Sequence, residues 1–115
     1  MNKDIKAKWV SALRSGMWEQ TTDVLSGINV NGVHGYCCLG VLCEISAAET
    51  GFGIRENLIE NNGNQDLGPT IRRWAGINRS CGEFVNIAGS KKSLTEANDD
   101  GSTFLEIATA IEEQL

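Results

Sequence analysis

The most apolar stretch of the chain constrains its fold more than any other: Cys37-Cys38-Leu39-Gly40-Val41-Leu42-Cys43-Glu44-Ile45-Ser46-Ala47-Ala48-Glu49. Leu39, Leu42 and Ile45 recur at helical spacing, and Cys38 and Val41 widen the stripe. This predicts a central buried helix over 37–49, ended by Thr50-Gly51-Phe52-Gly53. Everything else in the chain has to pack around it.

Two further amphipathic segments supply the partners. Over 3–15, Ile5, Trp9 and Leu13 recur at four-residue spacing with Val10 beside them. Asp4 in the first turn suits the helix dipole, and Ser15-Gly16 stops the helix. At the other end Phe104, Ile107, Ala108, Ile111 and Leu115 follow helical spacing. Ser102 or Thr103 caps that helix, and Thr103 with Glu106 has capping-box spacing. A shorter helix is predicted from Gly68-Pro69 to Ala75, with proline at its first position and Gly76 as its stop. Ile71 and Trp74 should point inward, and Trp18 should fold back on the first helix.

Two hairpins complete the reading. Asn31-Gly32 between Ile28-Asn29-Val30 and Val33-His34-Gly35-Tyr36 predicts a type I′ hairpin over about 28–36. Phe84, Val85 and Ile87 before Ala88-Gly89, with Lys91-Lys92 on the return, predict a second over 83–92. Residues 54–68, with Asn61-Asn62-Gly63-Asn64, read as a loop with one short strand near Leu58-Ile59. Residues 93–97 read as a single helical turn and Asn98-Asp99-Asp100-Gly101 as a turn. The expected architecture is a single α+β domain over 1–115, with three main helices, one or two short ones and two short β-hairpins.

Charge narrows the function classes. The net charge of −5 argues against a general nucleic-acid binder. No run of about 20 apolar residues could span a membrane, and Met1–Lys6 leads into no apolar stretch of a secretory signal. The charge is uneven. Lys3, Lys6, Lys8 and Arg14 against Asp4 leave residues 2–17 at +3. Arg72, Arg73, Arg79, Lys91 and Lys92 against Glu83 leave 69–93 at +4. Glu96, Asp99, Asp100, Glu106, Glu112 and Glu113 leave 96–115 at −6. Such runs are ordinarily solvated helix faces. The sharper reading makes 72–92 a local phosphate-binding patch, because arginine forks pair with phosphate whatever the net charge.

Cys37, Cys38, Cys43 and Cys81 lack the paired C-x₂-C knuckles of a zinc site, and His34 is the sole histidine. Within an apolar helix they read first as buried thiols. A thiol enzyme would use Cys37 or Cys38 at the helix start, with Gln20 as oxyanion donor and Asn98 as orienter. Its general base would have to be His34, which lies in a strand just ahead of the cysteines. No phosphate loop or dinucleotide fingerprint is present, and 98–101 lacks the ligand spacing of a calcium loop. Neither a metal nor a cofactor is therefore expected. Trp9 and Trp74 read as core, whereas Trp18 and Tyr36 are free to stack on a base beside arginines that take phosphate.

The order of blocks is specific. Lys8-Trp9-Val10-Ser11-Ala12-Leu13-Arg14-Ser15-Gly16 and Gln20 precede Tyr36-Cys37-Cys38-Leu39-Gly40-Val41-Leu42-Cys43. Trp74-Ala75-Gly76, Leu94-Thr95-Glu96-Ala97-Asn98-Asp99, Gly101, Phe104 and Ile107-Ala108 follow. Over nearly the whole chain this resembles a family of small accessory proteins of tailed bacteriophages. The long, Asn-rich 50–68 loop is the main departure. The resemblance implies the cytoplasm of an infected bacterium and a counter-defence role. One expectation is a homo-oligomer that sequesters a small nucleotide-type immune signal, a cyclic ADP-ribose derivative or a cyclic oligonucleotide, without catalysis. Its ligand contacts would be Trp18, Gln20, Tyr36, Arg72, Arg73, Arg79, Asn98 and Asp99. The alternatives are a protein–protein inhibitor acting through the acidic 96–115 face, and the thiol enzyme.

Overall fold

Ten elements follow one another in the computed structural model, which describes residues 1–115. They are α1 (Lys3–Arg14), β1 (Ser26–Ile28), β2 (His34–Tyr36), α2 (Cys38–Thr50) and α3 (Ile54–Glu60). Then come α4 (Pro69–Ala75), β3 (Phe84–Ile87), β4 (Ser90–Ser93), α5 (Leu94–Asp99) and α6 (Phe104–Gln114). The class is α+β, with two separate antiparallel two-stranded sheets, β1-β2 and β3-β4.

Helix α2 is the centre, as its composition requires. Every residue from Cys38 to Cys43 is buried, and Gly51 ends the helix in the left-handed conformation. Helix α1 lies between α2 and α6, and α6 also packs on β3. The fully buried Trp9 donates its indole N–H to the Cys38 carbonyl at 2.9 Å, which joins α1 to the start of α2. Asn2 caps α1 by accepting from the Ile5 amide, and Thr103 with Glu106 forms the expected box on α6. At Gly40 the backbone of α2 passes so close to the residue before β1 that a Cβ would stand 1.9 Å from the Leu25 carbonyl oxygen.

Three readings need correction. The helices number six, because 54–60 forms α3 rather than a loop with a short strand. Ile54 and Leu58, one turn apart, pack against the core, while Ile59 stays exposed. Buried Asn57 then organises the polar segment that follows. Its Oδ1 accepts from the Gly68 amide and its Nδ2 donates to the Asp66 carbonyl, both at 2.9 Å. The first hairpin is shifted, with Ser26 opposite Tyr36 and Ile28 opposite His34. Its loop is Val30-Asn31-Gly32, closed by Asn29 and Val33, and only Gly32 has positive φ. Asn29 takes the turn role by accepting from the Asn31 and Val33 amides. The 94–99 segment is longer than one turn: Ser93 and Glu96 make a capping box for α5. The second hairpin has the expected two-residue turn, with Ala88 at φ 51° and Gly89 at φ 77°.

Candidate functional site

The expected ligand residues fall into two groups that no hydrogen bond, ion pair or ring contact joins. The first surrounds the N-terminus of α2. Segment 19–21 runs beside β2, with the Thr21 amide donating to the Tyr36 carbonyl and the Tyr36 amide to the Glu19 carbonyl. This brings Gln20, Tyr36 and Trp18 together. The Trp18 ring meets Tyr36 edge-on at 5.1 Å, and the His34 ring also meets it edge-on, at 5.2 Å. Burial, then the charge of Glu44, pushes the Tyr36 hydroxyl above its ordinary pKa.

Asn98 is the hub of this group. Its Oδ1 accepts from Gln20 Nε2 at 2.9 Å and from the Cys38 amide at 3.1 Å. Its Nδ2 donates to the Thr21 carbonyl at 2.9 Å and to Asp99 Oδ1 at 3.2 Å. Gln20 Nε2 also donates to the Ser102 carbonyl, and Asp99 Oδ1 also accepts from the Asp23 amide. An asparagine side chain has two donor hydrogens and two acceptor sites, so that of Asn98 is spent inside the chain. The start of α2 is closed in the same way, by Asn98 on the Cys38 amide and by Cys37 Sγ accepting from the Gly40 amide at 3.4 Å. Asn98 and Gln20 here fasten three segments together, and Asp99, Asp23 and Glu44 make the surroundings acidic.

All four cysteines are free. Burial pushes the Cys37 thiol up to about 11, against weaker support for the thiolate from the Gly40 and Leu39 amides. Burial raises Cys38 and Cys43 in the same direction. A reactive thiolate requires the opposite shift and solvent access. His34 Nε2 is 3.3 Å from Ser26 Oγ, a local contact within the hairpin.

The second group lies around the turn after α4. Arg72 Nη1 reaches the Asn78 carbonyl at 3.5 Å, while its buried Nε has no partner. Arg72, Arg73, Ile77, Asn78 and Pro69 line a cavity of about 270 Å³. Glu83 holds the turn by accepting from the amides of Asn78 and Arg79 and from Asn78 Nδ2. The Arg79 guanidinium sits 4.1 Å from the centre of the Phe84 ring, and Lys91 Nζ is 5.4 Å from it. The chain's ion pairs are Lys8–Glu49, Arg14–Glu112 and Lys92–Asp100, so Arg72, Arg73, Arg79 and Lys91 are all unpaired. Glu60 borders the patch. Hydrogen bonds from Thr70, then the charges of Arg73 and Arg72, hold its carboxyl below the usual range.

Phe84, Asn78 and Lys91 were not among the expected ligand residues. Strand alternation contained the signal: Val85 and Ile87 point inward, so Phe84 and Asn86 point outward, and Asn86 is opposite Lys91. Phe84 is thus an exposed ring on the solvent face of a strand whose return carries lysines. Trp74, expected in the core, is only half-buried on α4. No helix is long and apolar enough to cross a membrane.

Neither curated proteins nor solved structures include a match to the chain. A model described as a domain of unknown function (DUF8296) matches residues 1–115, and the chain belongs to that family.

Proposed function

We propose that the protein binds a small phosphate-bearing ligand of nucleotide type at the Arg72–Arg79–Phe84 patch and sequesters it without chemical change. One observation carries the reading: four cations have no ion-pair partner, Arg72 and Arg73 beside the turn at Asn78 and Arg79 and Lys91 at the exposed Phe84 ring that follows it. Arginine forks match phosphate oxygens bidentately, and Phe84, with Arg79 stacked on its ring, leaves the rest of its exposed surface to a base. The only carboxylate inside the turn, Glu83, is occupied with its backbone amides. Within this reading Gln20 and Asn98 position segments, and Trp18 and Tyr36 form a separate aromatic surface. The phage resemblance supports an immune signal as the ligand, a cyclic ADP-ribose derivative or a cyclic oligonucleotide, trapped by a homo-oligomer in the bacterial cytoplasm.

The test is calorimetric titration of the full chain with ADP-ribose, cyclic ADP-ribose isomers and cyclic di- and trinucleotides. Native mass spectrometry of protein purified from cells making such signals complements it. The expected result is a stoichiometric complex with at least one of them. The Arg72→Ala/Arg73→Ala double variant should weaken it at least about tenfold, as loss of charge-assisted bonds would. Phe84→Ala should weaken it as well. A clean apo mass together with no heat from any of these compounds would sink the reading.

One observation favours a second reading, inhibition of a basic protein partner. A cavity of about 420 Å³ between β3 and α6 is flanked by Glu106 and Glu113, and Leu105 beside it is 60% exposed. That reading requires binding that weakens steeply with salt and is lost in Glu106→Lys/Glu113→Lys.

A further inference from the structure

The first hairpin is only half enclosed. Sheet β1-β2 is flanked on the β2 side by segment 19–21, bonded to Tyr36. Nothing in the chain extends the sheet beyond β1. The Cys37 amide donates to the Leu25 carbonyl and the Asn29 amide to the Val33 carbonyl. In an antiparallel ladder bonded and non-bonded pairs alternate. Gly27–Gly35 is therefore the bonded pair between them, and Ser26 and Ile28 turn their N–H and C=O groups away from β2. No main-chain hydrogen bond within the chain reaches the outward groups of Ser26 and Ile28, so the open edge is β1 itself.

Proteins protect such edges with lysine, proline or charge. This one has none: residues 24–33 contain no Asp, Glu, Lys, Arg or Pro. It presents apolar side chains instead, with Ile28 67%, Val30 102% and Val33 44% exposed. The rest of the molecule carries a net charge of −5. Two copies of an acidic chain repel each other except where a surface is uncharged, and this edge is such a surface.

We infer that β1 pairs with β1 of a second copy across a two-fold axis at Gly27. The register follows from the outward groups. Ser26 of each chain faces Ile28 of the other, and each pair exchanges two main-chain hydrogen bonds. Gly27 meets its symmetry mate at the close, non-bonded position, where it has no side chain to obstruct the approach. The result is a continuous four-stranded antiparallel sheet, β2-β1-β1-β2, with Ile28 and Val30 covered at the seam. A two-stranded hairpin is marginal by itself, whereas four strands with an apolar seam are not. The interface is isologous, so it closes at two copies. It stands apart from the arginine patch and does not depend on the ligand reading.

Sedimentation equilibrium on the full chain up to about 0.1 mM tests it, a concentration at which a micromolar dimer is nearly all assembled. The expected mass is twice that of the chain. Ile28→Lys and Val30→Lys, both on positions exposed in the single chain, should return it to the monomer with the circular dichroism spectrum unchanged, and the melting temperature, which rises with protein concentration in the wild type, should become independent of it. Leu105→Lys, exposed on α6, should leave the dimer intact. Amide exchange adds a local readout, with Ser26 and Ile28 becoming protected as protein concentration rises. A wild-type monomer at this concentration overturns the inference. So does a dimer that survives both lysine variants, or one whose Ser26 and Ile28 amides exchange freely.

Discussion

Asn98 shows how much one polar side chain can organise from inside a core. It is 1% exposed and makes four hydrogen bonds, to Gln20, Cys38, Thr21 and Asp99. A buried polar group is stabilising only when its partners are also satisfied. Asn98→Ala leaves the Cys38 amide and the Thr21 carbonyl without partners in a region closed to water. The expected cost is about 2–4 kcal/mol, the usual range when buried donors and acceptors are orphaned, and it should appear as a lower urea midpoint. Gln20→Ala should cost less, because Asn98 keeps its other three partners. From the sequence alone Asn98 looked like a turn residue or a ligand contact. Its value as a fastener depends on Thr21 and Cys38, which are 77 and 60 positions away, and no local pattern encodes that.

Legibility at the scale of elements followed the same division. Periodicity and caps are local, so α1, α2, α4 and α6, the second hairpin and the Thr103 box were readable to within a residue or two. Helix α3 was not, because its helical face is short and its asparagine-rich continuation resembles a loop. Asn57, a poor helix former, is there to hold Asp66 and Gly68 rather than to favour a helix. The register of the first hairpin was misread for a related reason: Asn29, not Asn31-Gly32 alone, shapes its turn. The arginines of the patch were legible as a charge run and the outward side of Phe84 was legible in the strand alternation, but its neighbours were not, since they come from the α4–β3 turn and from β4. Gly40 offers a test of packing between elements. Gly→Ala inside a helix ordinarily stabilises by up to about 1 kcal/mol. At Gly40 the new methyl would collide with the Leu25 backbone, so Gly40→Ala should instead destabilise by about 1–3 kcal/mol or more, as overpacking does. Chemical denaturation decides between the two signs.

For the molecule as a whole, the buried thiols of Cys37, at the cap of α2, and of Cys38 and Cys43 within it make stability depend on alkaline pH. Cys37 titrates at about 11 when folded, against 9.0 ordinarily, because burial disfavours its thiolate. The unfolded chain therefore gives up this proton first. Stability from this source is complete below about pH 9 and declines as pH rises through about 11. Over that interval Cys37 contributes a loss of about 3 kcal/mol, and buried Cys38 and Cys43 act in the same direction. In reductant, the urea midpoint should stay flat from about pH 7 to 9 and fall above it, and Cys37→Ala should reduce the slope. A slope unchanged in that variant would show that Cys37 is not a source of the effect.

The placement of the three indoles has a consequence for how this protein can be followed in solution. Trp9 is sealed between α1 and α2, with its N–H held by Cys38. Trp18 lies against Tyr36 on the sheet that would widen on self-association. Trp74 is half-buried on α4, next in sequence to Arg73 of the basic patch. Each therefore samples a different event in its emission: Trp9 the integrity of the core, Trp18 the first hairpin, and Trp74 the arginine turn. Three single-tryptophan variants would let one fluorimeter separate unfolding, dimerisation and ligand uptake without any attached dye.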